Sequence, residues 1–81
     1  MPSASPQPPW VLAQRQVLGD AIRASREYAN LTQEQVALRA GMERSGLARI
    51  ELGQRSPTTD TLIRIAAAIG ITVSELVRIK G

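Results

Sequence analysis

The sequence predicts a small all-α domain of five helices, and three observations support that fold class. Hydrophobic residues make up 43% of the 81 residues, but they include only one Trp, one Tyr and no Phe. A core of Leu, Ile, Val and Ala suits closely packed helices better than a sheet. Apolar residues also recur at helical spacing, and capping signals mark where helices begin and end. A chain of this length has room for one domain with one core.

The missing residue types exclude several kinds of chemistry. The chain has no Cys and no His, which excludes disulfides, zinc sites built from these residues and a histidine general base. We therefore expect no enzyme activity, no cofactor and no metal. The apolar runs are too short for a membrane span or a signal peptide, which predicts a cytoplasmic protein without membrane contact. A net charge of +3 and a pI near 10.6 favour a polyanionic partner.

The first nine residues, MPSASPQPP, contain four of the five prolines. Such a segment cannot bury enough apolar surface to fold. We therefore predict a flexible Pro- and Ser-rich arm over 1–9 and a single folded domain over 10–81. An arm that reaches into a nucleic-acid groove would need cationic side chains, and the first of these in the chain is Arg15. A flexible leader is the favoured interpretation.

The first helix is predicted over about 10–28, with Leu18 and Ile22 one helical turn apart. Asn30 can adopt the left-handed conformation that closes a helix. Trp10 begins a second apolar line on this helix. We favour Trp10 as a lid that folds back on the domain's own core, with packing on a second subunit as the alternative.

A capping box starts the second helix, which is predicted over 33–40. Thr32 is its N-cap, and Gln35 follows three residues later. Gly41 then permits a sharp reversal that a bulky side chain would resist. The third helix is predicted over about 44–52. The residues that face inward or close this helix are Leu47, Ile50 and Gly53.

The last two helices are predicted over about 59–69 and 73–79. The fourth begins after Pro57-Thr58, and its apolar residues form one stripe at the helical period. That stripe consists of Leu62, Ile65, Ala66 and Ile69. Thr72 and Glu75 form a second capping box, which starts the fifth helix.

Separated motifs occur along the chain at the spacings of one known family. They are Arg26, Leu31-Thr32-Gln33, Val36-Ala37, Ala40-Gly41, Ile50-Glu51-Leu52-Gly53, Pro57, Asp60-Thr61-Leu62 and the run from Ile65 to Ile71. Through these motifs, the span from Leu18 to Leu76 closely resembles the phage repressor and Cro type of helix-turn-helix domain, the xenobiotic response element family. The resemblance implies a five-helix lambda-repressor-like domain in which helices 2 and 3 form the helix-turn-helix and bind double-stranded DNA.

The resemblance also implies which residues read the bases. Helix 3 would lie in the major groove, with Arg44 and Ser45 at the base edges and Arg49 one turn later. Arg44 can donate two hydrogen bonds to guanine, whereas Arg49 could instead pair with Glu43 or reach only a phosphate. Gly46 costs helix propensity, and we expect it to permit a close approach to the groove.

Glu43 departs from the family pattern, which usually places Ser or Thr at this N-cap position. Three outcomes are open. Its charge can repel phosphates, its carboxylate can accept a hydrogen bond from a cytosine amino group, or it can orient a neighbouring arginine. The operator sequence therefore cannot be read from this helix.

Residues on either side of helix 3 are expected to bind phosphates. In the family, the glutamine at the position of Gln33 binds a phosphate at the helix N-terminus, and Thr32 precedes it. The residues equivalent to Arg26 and Glu51 form a salt bridge, and the arginine can also lie near a phosphate. After helix 3 the candidates are Gln54, Arg55 and Ser56, of which Arg55 is favoured.

These expectations together predict a transcriptional regulator, with repression favoured, that binds a pseudo-palindromic operator as a homodimer. Two alternatives remain open. The protein could be an antitoxin that also binds a toxin protein, or a protein-interaction module without DNA binding. The second alternative predicts acidic or apolar residues at the reading positions, which the sequence disfavours. The candidate dimer surface consists of Leu76, which is favoured as a core residue, with Val77, Ile79 and Trp10.

Overall fold

The computed structural model describes residues 7–78, and this range contains five α-helices and no strand. This confirms the predicted all-α fold. The third and fifth helices end earlier than predicted, since Leu52 is already a C-cap and Arg78 has an extended backbone. Ile79 and residues 1–6 of the predicted arm lie outside the described residues. The helices are α1 (Pro9–Tyr28), α2 (Gln33–Ala40), α3 (Arg44–Glu51), α4 (Thr59–Ile69) and α5 (Val73–Val77).

Local signals in the sequence place the helix ends. Thr32 accepts a hydrogen bond from the backbone N–H of Gln35 at 3.0 Å, and Gln35 Oε1 accepts one from the backbone N–H of Thr32 at 2.9 Å. The capping box of α5 has the same reciprocal geometry. Asn30 closes α1 with a φ of 60°, and Gly41 closes α2 with a φ of 68°. These four helix ends are therefore set by residues within a few positions of them.

The core lies where α2 packs against α3 and α4. In addition, α1 packs against α3 and α5, and α4 packs against α5. The inward stripes predicted for α3 and α4 supply five of the eleven buried core residues in the described range. Leu62 is only partly buried and packs against the edge of the core. The largest fully buried side chains are Ile22, Val36, Leu47, Ile50, Ile65 and Leu76.

Two expectations about apolar residues need correction. Trp10 is not a lid on the core, because its side chain is 70% exposed. It lies in the first turn of a 20-residue helix, more than two turns before Gly19 and Ile22, the two buried residues of that helix. Leu76 is only 1% exposed and fills the core, as favoured from the sequence, so it leaves the candidate dimer surface. Val77 is 39% exposed and stays on that surface.

The backbones of α1 and α3 lie very close together at Gly19. A Cβ atom built on this glycine would lie 2.5 Å from the carbonyl oxygen of Ile50 and 2.6 Å from that of Glu51. The close approach places the end of α3 against α1. Arg26 lies in the last turn of α1. Within residues 7–78, no helix is both long enough and apolar enough to span a bilayer.

Candidate nucleic-acid interface

The exposed side of α3 carries three of the residues predicted to read bases. Arg44, Ser45 and Arg49 are exposed, whereas Leu47, Ile50 and Glu51 on the same helix are buried. The helix is thus held to the core by one face and presents a mainly cationic face to solvent. Such a face suits contact with a polyanion.

Glu43 stands at the N-cap of α3 and makes no side-chain capping hydrogen bond. Glutamate is a poor N-cap compared with Ser or Thr, which agrees with this geometry. Within residues 7–78 neither of the two ion pairs includes Glu43. The possible pairing of Glu43 with Arg49 is therefore absent from the structure, and both side chains remain available to a ligand.

A nearly buried ion pair joins the end of α1 to the end of α3. Arg26 Nε lies 2.8 Å from Glu51 Oε2, and Arg26 Nη2 lies 3.0 Å from Glu51 Oε1. The side chains are 11% and 2% exposed, so water screens this pair much less than a surface pair. Arg26 Nη1 also donates to the backbone oxygen of Leu31 at 2.9 Å. The hydrogen bond to Glu51 raises the pKa of Arg26 above its ordinary value.

Gln33 extends this ion pair to the reading face. Its Nε2 donates to Glu51 Oε1 at 3.0 Å, and Arg44 Nη1 donates to Gln33 Oε1 at 3.5 Å. A chain of hydrogen bonds therefore runs from Arg26 through Glu51 and Gln33 to Arg44. The 3.5 Å contact is long, so it guides Arg44 without holding it tightly.

The hydrogen-bond chain changes the interpretation of Gln33. The resemblance to the family implies a phosphate contact for this side chain. In the structure the side chain is partly buried and bound to Glu51, which lies 18 positions away. The amide nitrogen carries two hydrogens, and Glu51 accepts one of them. The other hydrogen remains available for a ligand at the N-terminus of α2.

Gly46 is buried, whereas Arg44 and Ser45 directly before it in α3 are exposed. A Cβ atom on Gly46 would lie 3.1 Å from Arg55 Nη1 and 3.6 Å from Met42 Cε. The position is therefore covered by the protein's own side chains. The missing side chain leaves room for Arg55, and the close approach of Gly46 to a DNA groove stays a prediction.

Two residues of α4 belong to the same surface, although the sequence did not single them out as ligand contacts. Thr61 and Arg64 line a pocket of about 290 Å³ together with Ser45 and Arg49 of α3. Arg55, from the loop after α3, completes the cationic part of its lining. No local motif could have identified Arg64, because its place beside α3 depends on how α4 packs in the folded domain.

The other predicted phosphate contacts and ligand sites are placed as follows. Gln54 and Ser56 are exposed in the loop after α3, and neither lines this pocket. Thr32 is exposed at the N-terminus of α2, where its hydroxyl is used by the capping box. Among residues 7–78, no cluster of acidic side chains could hold a metal ion.

Comparisons with known proteins identify the family of this domain. The family model for helix-turn-helix domains matches residues 22–76. An uncharacterised HTH-type transcriptional regulator of Sinorhizobium fredii, y4dJ, is 38% identical over 63 residues, which cover 78% of this chain and 82% of that protein. The immunity repressor protein of Bacillus phage phi105 is 43% identical over 60 residues, which cover 74% of this chain and 42% of the repressor.

A solved structure shows the same likeness in three dimensions. The restriction-modification controller protein C.AhdI from Aeromonas hydrophila superposes with a TM-score of 0.77 and 31% sequence identity. The alignment covers 79% of this chain and 97% of that protein. Almost the whole controller protein therefore corresponds to the five-helix domain described here.

Proposed function

The chain belongs to the phage repressor and Cro type of helix-turn-helix family of transcriptional regulators, and from this premise we propose that it represses transcription by binding a specific double-stranded DNA operator. The observation that carries the proposal is the exposed row of Arg44, Ser45 and Arg49 on α3. These side chains have the donors that base edges in the major groove accept.

The proposed binding mode inserts α3 into the major groove with α2 crossing above the backbone. Arg44 donates two hydrogen bonds to O6 and N7 of a guanine. Gln33 donates its second amide hydrogen to a backbone phosphate at the N-terminus of α2, where the helix dipole also favours an anion.

A homodimer is the proposed binding species. One domain reads only a few base pairs, and two copies about 34 to 36 Å apart read two half-sites one turn of DNA apart. Specificity against the many competing sites in a genome favours this doubled contact. The proposed dimer surface includes Val77 and the exposed Trp10, with Ile79 as a further candidate. The corresponding operator is pseudo-palindromic.

The alternative of a protein-interaction module without DNA binding has less support. Such a module gains nothing from three exposed donors on one side of α3, and the positive net charge favours a polyanion. An antitoxin would keep the DNA-binding surface and add a toxin-binding one, so it is compatible with the same interface on α3.

Selection of bound sequences from random duplex DNA tests the proposal. We expect a two-fold symmetric site, and Arg44→Ala should cost about 1 to 3 kcal/mol at one symmetric pair of positions. Arg15→Ala removes the same type of side chain from α1, outside the hydrogen-bond chain, and serves as the control. Uniform weakening of all sequences by Arg44→Ala would reassign Arg44 to a phosphate. No binding of any duplex at low salt would overturn the proposed function.

A further inference from the structure

The pocket between α3 and α4 brings together side chains from three parts of the chain. Arg49 comes from α3, Arg55 from the following loop and Arg64 from α4. Two hydroxyl groups also line it, on Ser45 and Thr61, and its acidic lining residue is Glu43. The polar lining therefore contains three guanidinium groups and one carboxylate, with a formal charge of +2.

These three arginines have no carboxylate partner within the part of the chain that the structure describes. The two ion pairs among residues 7–78 use Arg23 and Arg26. Cations gathered around one small pocket repel one another, and an anion between them removes that repulsion. Guanidinium groups present paired donors in the geometry that phosphate oxygens accept, and hydroxyl groups can add further hydrogen bonds.

Gly46 leaves room for one of the three arginines of the pocket. Arg55 Nη1 lies only 3.1 Å from the place where a Cβ of Gly46 would be. The guanidinium group can lie this close to α3 because the helix has no side chain at this position. Gly46 therefore leaves room for Arg55 beside α3, although an alanine would supply more helix propensity.

We propose that this pocket binds one phosphate group of the DNA backbone, with Arg64 of α4 as a DNA-contacting residue beyond the helix-turn-helix. The inference rests on the proposed function, since Ser45 and Arg49 belong both to the pocket lining and to the reading face of α3. A phosphate held there fixes the depth and angle of α3 in the groove. It complements the phosphate assigned to Gln33, which is not among the pocket residues.

The test compares duplex binding by wild type, Arg64→Gln and the charge-matched control Arg15→Gln. The duplex is the sequence selected by the wild-type protein, and Kd is measured by fluorescence anisotropy over a range of salt concentrations. Loss of one charge-assisted contact should weaken binding about tenfold for each pocket. The slope of log Kd against log salt should fall by roughly 0.9 for each lost phosphate contact, or roughly 2 for a dimer. Arg15→Gln should change neither quantity to this extent.

Neutral methylphosphonate groups, placed one at a time in the duplex backbone, locate the contact. For wild type, one symmetric pair of positions should lose affinity, and Arg64→Gln should lose less affinity than wild type at that same pair, because one of the contacts to that phosphate is already gone. A merely structural role of Arg64 would instead leave the methylphosphonate effect intact. Circular dichroism melting of each variant shows that it is folded at the assay temperature.

Three results would overturn the inference. Duplex binding by Arg64→Gln with the affinity and salt slope of wild type would leave the proposed function standing and remove the phosphate site. Thermal stabilisation of wild type, but not of Arg64→Gln, by inorganic phosphate without a change in duplex binding would assign the pocket to a free anion. Failure of the wild-type protein to bind any duplex at low salt would remove the proposed function and the inference together.

Discussion

Replacing Gly19 with alanine is expected to destabilise the domain, even though alanine favours helices. The added Cβ would lie 2.5 Å from the carbonyl oxygen of Ile50 and 2.6 Å from that of Glu51. Both are backbone atoms, and they cannot move aside by changing a rotamer. The clash therefore has to be relieved by moving α1 away from α3.

The size of the effect follows from two opposing contributions. Alanine in place of an interior helical glycine gains about 1 kcal/mol of helix propensity. Ordinary van der Waals contact begins at 3.4 Å, so the shorter contact must open by roughly 0.9 Å. Overpacking that shifts the backbone costs about 1 to 3 kcal/mol, and two backbone contacts place this site at or beyond the upper end. The net loss is about 2 kcal/mol, or a fall in Tm of about 8 to 16 °C for a domain of this size.

Urea denaturation followed by circular dichroism at 222 nm measures the loss, with Gly46→Ala as a matched control. Gly46 is also inside a helix, but its added Cβ would meet only the ends of two flexible side chains, Arg55 and Met42. Gly46→Ala should therefore be as stable as wild type or up to about 1 kcal/mol more stable. If Gly19→Ala were equally stable, the reasoning about close packing of α1 on α3 would be refuted.

Two further predictions concern charged groups. Arg26→Ala leaves the carboxylate of Glu51 buried with one remaining partner, which should lower the free energy of unfolding by about 3 to 5 kcal/mol. In thermal melting, the double variant with Glu51→Ala should lose less stability than the sum of the two single losses. Additive losses would contradict the pairing. Hydrogen bonds from the backbone and side chain of Thr72 hold the pKa of Glu75 below its ordinary value. At a pH above the pKa of Glu75 in the unfolded chain, the ionised carboxylate therefore stabilises the fold. This contribution is lost as the pH falls through the lower pKa of Glu75 in the folded protein. An NMR titration of the Glu75 carboxyl group should show the lowered pKa, and Thr72→Val should raise it; an unchanged value in that variant would contradict the assignment.

The helices could be predicted well because their ends depend on neighbours in the sequence. Thr32 and Gln35 form a capping box with atoms three residues apart, and Asn30 and Gly41 adopt left-handed conformations where they follow a helix. These interactions need no information about the rest of the fold. The prediction that Trp10 covers the core was wrong, because the exposure of this side chain depends on where the core ends along α1.

The candidate interface was predictable only in part. The exposure of Arg44, Ser45 and Arg49 agrees with the helical period, which places them opposite Leu47 and Ile50. The roles of other residues depend on distant partners. Gln33 binds Glu51, and the guanidinium group of Arg55 lies beside Gly46. Neither partnership has a local signal in the sequence.

The sequence by itself determined the five helices, their inward faces and the cationic face of α3, because periodicity and capping are local properties of the chain. Only the tertiary structure decided that Gly19 lies where α1 touches α3, and that Arg64 and Arg49 line the same pocket. It likewise decided that a chain of hydrogen bonds leads from Arg26 to Arg44. These features arise where residues far apart in the sequence are packed together, and such distances are set by the whole core.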